Sequence, residues 1–315
     1  MRYFVASTRS CFVVLLIWAI YLLSSAPETK AAAWEQQLAS YKLDNGHLIE
    51  HQLDIGLVGQ GIRVHPVETD VRIHQYVWDV VRYIFPPVMF EDIGFVVFYT
   101  DGYSGSHGLL TTDSKSKNFV IGIDIRDILR RRKDGKIVLN EIELAQTLTH
   151  ELFHSLSLSE RQVQHRHEWS ELRNRQNRVA KQIRSCPAGS YTRVGCAKEK
   201  SYISEFMKGF WGKDLNRWYS ALVAEPERGQ VVGMFRAGKY VNSYAATDPQ
   251  EDLAESFSSF VFSDKINVKS LAGKKIYFFA GYPELRFIRK HVRKRLAALQ
   301  NGQSHRLAFS VKGLD

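Results

Sequence analysis

Asn140-Glu141-Ile142-Glu143-Leu144-Ala145-Gln146-Thr147-Leu148-Thr149-His150-Glu151-Leu152-Phe153-His154-Ser155-Leu156 carries the residues on which the fold and the chemistry turn. Asn140 with Glu143 three positions later is the pattern of a capping box, so a helix is expected to start there. On a helical wheel Ile142, Ala145, Leu148, Leu152 and Leu156 form one apolar face, and His150 and His154 fall nearly opposite. Two imidazoles one turn apart can reach a single metal ion, and Glu151 lies beside them. The plain alternative is three polar residues on a solvated helix face. A third ligand discriminates, because a hydrolytic zinc site takes three protein ligands and leaves a position open for water.

The extended metzincin pattern requires Gly at 157 and His at 160, but the chain has Ser157 and Glu160, which excludes that class. Nearby candidates are Glu160, His165, His167, Glu168 and Glu171, in an Arg-rich segment that otherwise reads as a solvated face. A thermolysin-like site would take Glu168 or Glu171. A second set lies about a hundred residues on, in Tyr244-Ala245-Ala246-Thr247-Asp248-Pro249-Gln250-Glu251-Asp252-Leu253-Ala254-Glu255. Asp248 and Pro249 read as N-cap and first residue of a helix. Leu253, Ala254, Phe257, Phe260 and Val261 make its apolar stripe, with Glu251 and Glu255 on the other face. Alone, these two acids read as a first-turn carboxylate favoured by the helix dipole and a surface charge. Beside a His pair they supply what a Glu-ligated zinc site lacks.

Upstream, Val67 to Phe85 has helical apolar spacing ended by Pro86 and Pro87, and Phe95–Thr100 and Phe119–Ile125 read as strands. Asp101 to Asn118, rich in Gly, Ser, Thr and Asp, reads as a surface loop. After Asn140 the chain reads as helical to about residue 300, broken near Pro187, Pro226–Gly238 and Ser263–Gly273. No repeat or low-complexity tract forces a boundary. The expected class is α+β, a small mixed sheet followed by a mostly helical lobe, with 27–139 as the N-terminal lobe and 140–315 as the zinc helix and helical lobe.

The 315 residues hold 44% hydrophobic and 12% aromatic residues with only 3 Cys, which excludes a disordered chain, a collagen and a disulfide-rich mini-protein. Arg2 and Arg9 precede the apolar run Cys11 to Leu23, followed by Ser24, Ser25 and Ala26, so residues 1–26 read as a secretion signal, or as an uncleaved signal-anchor. Whether 27–66 serves as a pro-segment is left open. Removal of the signal leaves Cys186 and Cys196, which flank Pro187-Ala188-Gly189-Ser190 and are expected to bridge outside the cytoplasm. The formal charge of +10 is concentrated at Arg161–Arg184 and at Arg286, Arg289, Lys290, Arg293, Lys294 and Arg295. Such runs read as solvated faces or as attraction to an anionic wall polymer or membrane surface. With no recognition fold and an export signal, nucleic acid is not an expected partner.

The helix His150-Glu151-x-x-His154 and the segment Tyr244 to Glu255 together resemble the gluzincin metallopeptidases related to the catalytic domain of anthrax lethal factor, a resemblance covering 140–160 and 238–300. A weaker echo runs through Lys274–Phe279 and Tyr282–Leu285. The resemblance implies a zincin-like fold and a secreted zinc endopeptidase acting on a protein or peptide. By position it implies Zn²⁺ bound by His150, His154 and Glu251, with Glu151 as general base. Tyr244 would stabilise the oxyanion, and Glu255 would hold a ligand histidine in place. The insertion between His154 and Tyr244 looks longer than in lethal factor, which implies a differently shaped cleft. Phe119–Ile125 is expected to pair with an extended substrate, as in zincins generally. The competing class is a catalytically silent, wall-associated zinc protein.

Overall fold

The computed structural model describes residues 36–51, 62–102, 107–113, 118–166, 175–225 and 234–301. The expected signal segment, His167, Glu168 and Glu171 lie outside the described residues. Nine strands and nine helices are found there: β1 (Gln36–Asp44), β2 (His47–His51), α1 (Val71–Ile84), β3 (Ile93–Thr100), β4 (Gly108–Thr112), β5 (Phe119–Asp124), α2 (Ile125–Ile128), β6 (Leu129–Arg131), β7 (Ile137–Leu139), α3 (Glu141–Ser157), β8 (Val163–His165), α4 (Arg175–Ser185), β9 (Gly195–Ala197), α5 (Tyr202–Phe210), α6 (Gly212–Ala224), α7 (Pro249–Phe262), α8 (Leu271–Phe278) and α9 (Pro283–Gln300).

The protein is α+β. Its main sheet has the order β2-β1-β3-β5-β4, with β3 and β5 parallel and the other neighbours antiparallel. Alternation along the central strands gives the sheet two apolar faces. Val96, Phe98, Ile121 and Ile123 join the large core with α1 and α3, while Phe95, Val97, Tyr99 and Val120 form a second cluster with Leu109. Residues 36–51, part of the stretch left open as a pro-segment, therefore belong to the sheet itself, since β1 pairs along β3 from Gln36↔Thr100 to Lys42↔Phe95.

Several expectations change. The helix expected from Val67 begins at Val71, because Asp70 accepts from the Arg72 amide as N-cap, and Pro66–Thr69 is a separate 3₁₀ turn. The expected loop 101–118 contains β4, which pairs antiparallel with β5 from Gly108↔Ile123 to Thr112↔Phe119. Its five residues are too few, and too rich in Gly and Thr, to show an apolar period. β5 therefore has a partner on each side, and the expectation that Phe119–Ile125 takes up an extended peptide is overturned. The edge of this sheet nearest α3 is β4. The helical stretch after Asn140 is interrupted by the antiparallel pair β8 and β9, which joins Val163↔Ala197 and His165↔Gly195 with α4 between them in the chain.

Helix α3 starts at Glu141 as expected, but not through a capping box. The Asn140 side chain makes no cap bond; with its amide oriented to satisfy its neighbours, its oxygen accepts from Arg130 Nε and Nη2 at 3.1 and 2.6 Å. Ile142, assigned to the apolar face, is 43% exposed in the first turn, while Ala145, Leu148 and Leu152 are fully buried. The Phe153 ring stacks on Phe257 of α7 at 3.9 Å, and Phe279 stands edge-on to both at 5.5 and 5.3 Å. This aromatic wedge brings α7 alongside α3.

Candidate metal centre

α3 presents His150 and His154 toward α7, whose first turn presents Glu251. Asp248 caps α7 by accepting from the Gln250 and Glu251 amides at 2.8 and 3.1 Å, with Pro249 in the first position as expected. His150 Nε2 and His154 Nε2 lie 2.9 Å apart, and Glu251 Oε2 is 3.1 Å from the first and 3.2 Å from the second. His150 Nδ1 lies 3.0 Å from Glu255 Oε1, and Glu255 Oε2 accepts from Asn242 Nδ2 at 2.7 Å. Tyr244 lies across His150, ring centres 5.9 Å apart. All six residues expected from sequence thus meet, Glu151 lying beside His150 on the same helix. His150 and His154 are not on a solvated face: they are 8% and 7% exposed, covered by α7.

The three donor atoms fit a metal ion. With Zn–N near 2.0–2.1 Å, the edges of a tetrahedral site are roughly 3.3–3.4 Å, and the observed triangle of 2.9–3.2 Å is close to that. Two ring nitrogens facing each other and one carboxylate oxygen offer three lone pairs with at most one proton between the nitrogens. Glu255 beside His150 Nδ1 favours the tautomer that leaves Nε2 free to ligate. Without an ion the charges settle among themselves. Burial opposes charge on His150, but Glu251 and Glu255 outweigh it and raise the imidazole to about 10. Burial would raise Glu251, yet His154 and His150 hold it well below the usual carboxylate range.

Glu151 has the opposite environment. Burial pushes its carboxyl up, against the pull of His150 and His154. It sits under the start of β4: a Cβ on Gly108 would stand 3.1 Å from Glu151 Cγ and 2.7 Å from Thr147 Cγ2, so only glycine lets the strand lie this close to the helix. Tyr244 is half exposed, but burial and the carboxylates of Glu251 and Glu151 keep its hydroxyl protonated well above the usual tyrosine range.

Two other sequence candidates, Glu160 and His165, stand apart. Glu160 is exposed, and the His165 ring faces the Leu158 carbonyl, with Nε2 at 2.5 Å from it. Cys186 and Cys196 form a disulfide with Cα atoms 5.4 Å apart, as expected. The loop it closes reaches the first turn of α7 beside the candidate metal centre: Arg193 N donates to Gln250 Oε1 at 2.9 Å and Arg193 Nε to Asp248 Oδ2 at 3.3 Å. Asn242, Arg193 and Gln250 carry no signal in the sequence, since each acts through a partner far along the chain or through a turn.

One further acidic group was not foreseen. Asp101, Asp124 and Asp127 bring carboxylate oxygens within 4.8 Å of one another at the ends of β3 and β5. Asp124 Oδ2 accepts from the Asp101 amide at 2.8 Å and Oδ1 from the Arg126 amide at 2.8 Å, so this carboxylate caps α2. Burial, reinforced by Asp127 and Asp101, raises Asp124 to about 7. Asp127 Oδ2 lies 3.1 Å from His107 Nδ1.

Among the described residues no helix is long and apolar enough to cross a membrane. Comparison with protein-family models, with curated proteins and with solved structures finds no significant match to this chain.

Proposed function

We propose that this protein is a secreted zinc endopeptidase of gluzincin type on a zincin-like fold. The observation that carries the reading is the convergence of His150 Nε2, His154 Nε2 and Glu251 Oε2 within 2.9–3.2 Å, with Glu151 on the next helical position. Zinc held by these three residues would supply a water of lowered pKa and a Lewis acid toward the scissile carbonyl. The chain supplies the rest. Glu151, pushed up by burial, accepts a proton from the attacking water and returns it to the departing amine. The Tyr244 hydroxyl, kept protonated, donates to the oxygen on which charge develops. Glu255 orients His150, and the open edge of β4 beside Glu151 offers backbone groups to an extended peptide.

Glu251 at hydrogen-bonding distance from both histidines supports it as third ligand over Glu168 or Glu171. A partly buried Glu151 beside the three donors supports an enzyme over a silent wall-associated zinc protein. Export is supported by the disulfide. Exposed Arg286, Lys290 and Lys294 on α9 form a cationic face suited to an anionic wall polymer or membrane surface, whereas Arg161 is engaged with Glu91 and Asp92. The test is Glu151→Gln, assayed with a peptide library and by zinc content. Cleavage should fall by about 10²–10⁴-fold while one zinc per chain remains. Near-normal cleavage by this variant ends the proposal.

A further inference from the structure

α7 carries, one residue after Glu251, a side chain the chemistry does not use. Asp252 is fully buried and faces away from the metal centre. Its Oδ2 accepts from Lys275 Nζ of α8 at 2.5 Å and from Trp211 Nε1 at 2.9 Å. Lys275 is equally buried, with Nζ 3.8 Å from the centre of the Tyr240 ring. A buried ion pair is weak ground for stability, because desolvation offsets the attraction and apolar residues of similar volume commonly do as well. It is, however, directional, and it sits on the residue next to Glu251.

Successive positions of a helix are separated by about 100°, so fixing Asp252 against Lys275 and Trp211 fixes where Glu251 and Glu255 point. The stripe Leu253, Ala254, Phe257, Phe260 and Val261 holds α7 to the core, and Asp252 adds two directional polar contacts on the residue next to Glu251. With side-chain tips about 5–6 Å from the axis, a turn of about 20° moves the Glu251 carboxylate roughly 2 Å. Metal–ligand distances tolerate about 0.2 Å. Arg193 ties the first turn of α7 to the disulfide loop and limits its sliding. From the α8 side, the Asp252 contacts to Lys275 and Trp211 limit its rotation.

We infer that Asp252 and Lys275, with Trp211, are positioning residues that set the rotation of α7 and so aim Glu251 at the metal and Glu255 at His150. This rests on the reading of His150, His154 and Glu251 as ligands. The pair's contribution is therefore to zinc affinity rather than to the stability of the fold.

The experiment measures zinc dissociation constants by chelator competition, together with the melting temperature of the zinc-free full chain. Wild type and Glu251→Ala come first: a wild type that binds no zinc, or a Glu251→Ala that binds it unchanged, sinks the parent reading. Given zinc bound through Glu251, the Asp252→Leu/Lys275→Met double variant removes both charges at similar volume. It should stay folded, somewhat less stable because Trp211 Nε1 loses its acceptor, and bind zinc about 10- to 100-fold more weakly, the usual range for loss of a residue behind the ligands. A folded double variant with wild-type affinity overturns the inference. Should that variant fail to fold, Asp252→Asn decides, since its oxygen can still accept from Trp211 but no longer pairs with a charged lysine. Severalfold weaker zinc supports the inference, and unchanged zinc overturns it.

Discussion

Among the described residues, two largely buried groups of side chains have donor atoms close enough for one cation, and they differ in what they have left to give. In Asp101, Asp124 and Asp127, the two Asp124 oxygens are already taken by backbone amides, and the three carboxylates repel one another. In His150, His154 and Glu251, two imidazole nitrogens and a carboxylate oxygen point at a common centre, and Glu255 waits behind one of them. The first group spans 27 residues of sequence around two strand ends; the second joins helices about a hundred residues apart. Closeness of ligand types is thus insufficient. What separates a metal centre from a helix cap is whether the lone pairs are free and whether outer partners fix their direction.

Metal binding gives the sharpest way to break this comparison. Glu251→Ala should abolish tight zinc binding, and Asp124→Asn should leave it intact, with zinc content after dialysis as the readout. The reverse pattern would mean that the acidic group is the metal centre. Tyr244→Phe should keep zinc and lower turnover.

The pH dependence of stability tests the acidic group by itself. Asp124 is raised from its ordinary value to about 7 in the folded protein, so the folded state holds its proton more tightly than the unfolded chain. The resulting stability is complete below pH of about 4 and is lost as pH rises through about 7, by up to about 4 kcal/mol. Unfolding of wild type compared with Asp124→Asn between pH 5 and pH 8 should show the gap moving in favour of Asn as pH rises. A constant gap would show that Asp124 titrates normally.

Because the candidate metal centre is non-local, it depends on what ties its two helices into place. Replacing Cys186 and Cys196 by Ser frees the loop whose Arg193 holds the first turn of α7, and should cost about 2–3 kcal/mol in denaturant unfolding. A variant as stable as wild type would show that the loop is held without its bridge. Glu255→Ala should weaken zinc by about 10- to 100-fold, roughly 1.4–2.7 kcal/mol, with the ligands still in place. An unchanged affinity would mean that His150 needs no partner behind it.

Legibility in the sequence followed the range of the interaction. The helix α3, the pair of histidines on it and the apolar stripe of α7 were readable because each repeats within a few residues. Asp248 and Pro249 announced the start of α7 for the same reason. Asn140 misled: its spacing to Glu143 matched a capping box, but Arg130 from the β6–β7 hairpin took its amide. Strand β4 was hidden because five residues, two of them Thr and one Gly, show no apolar period until β5 pairs with them. Strands β1 and β2 were missed likewise, in a stretch where polar and apolar residues mix.

By itself the sequence determined which residues could face together: spacing along one helix is set by backbone geometry, so His150 with His154, and Glu251 with Glu255, needed no other part of the chain. Only the tertiary structure decided that these two faces meet. The stacking of Phe153 on Phe257 sets α7 against α3, Gly108 lets β4 close over Glu151, and Asp252 with Lys275 fixes the direction in which Glu251 points. Contacts of that kind depend on the shape and direction of side chains far apart in sequence, which no local spacing records.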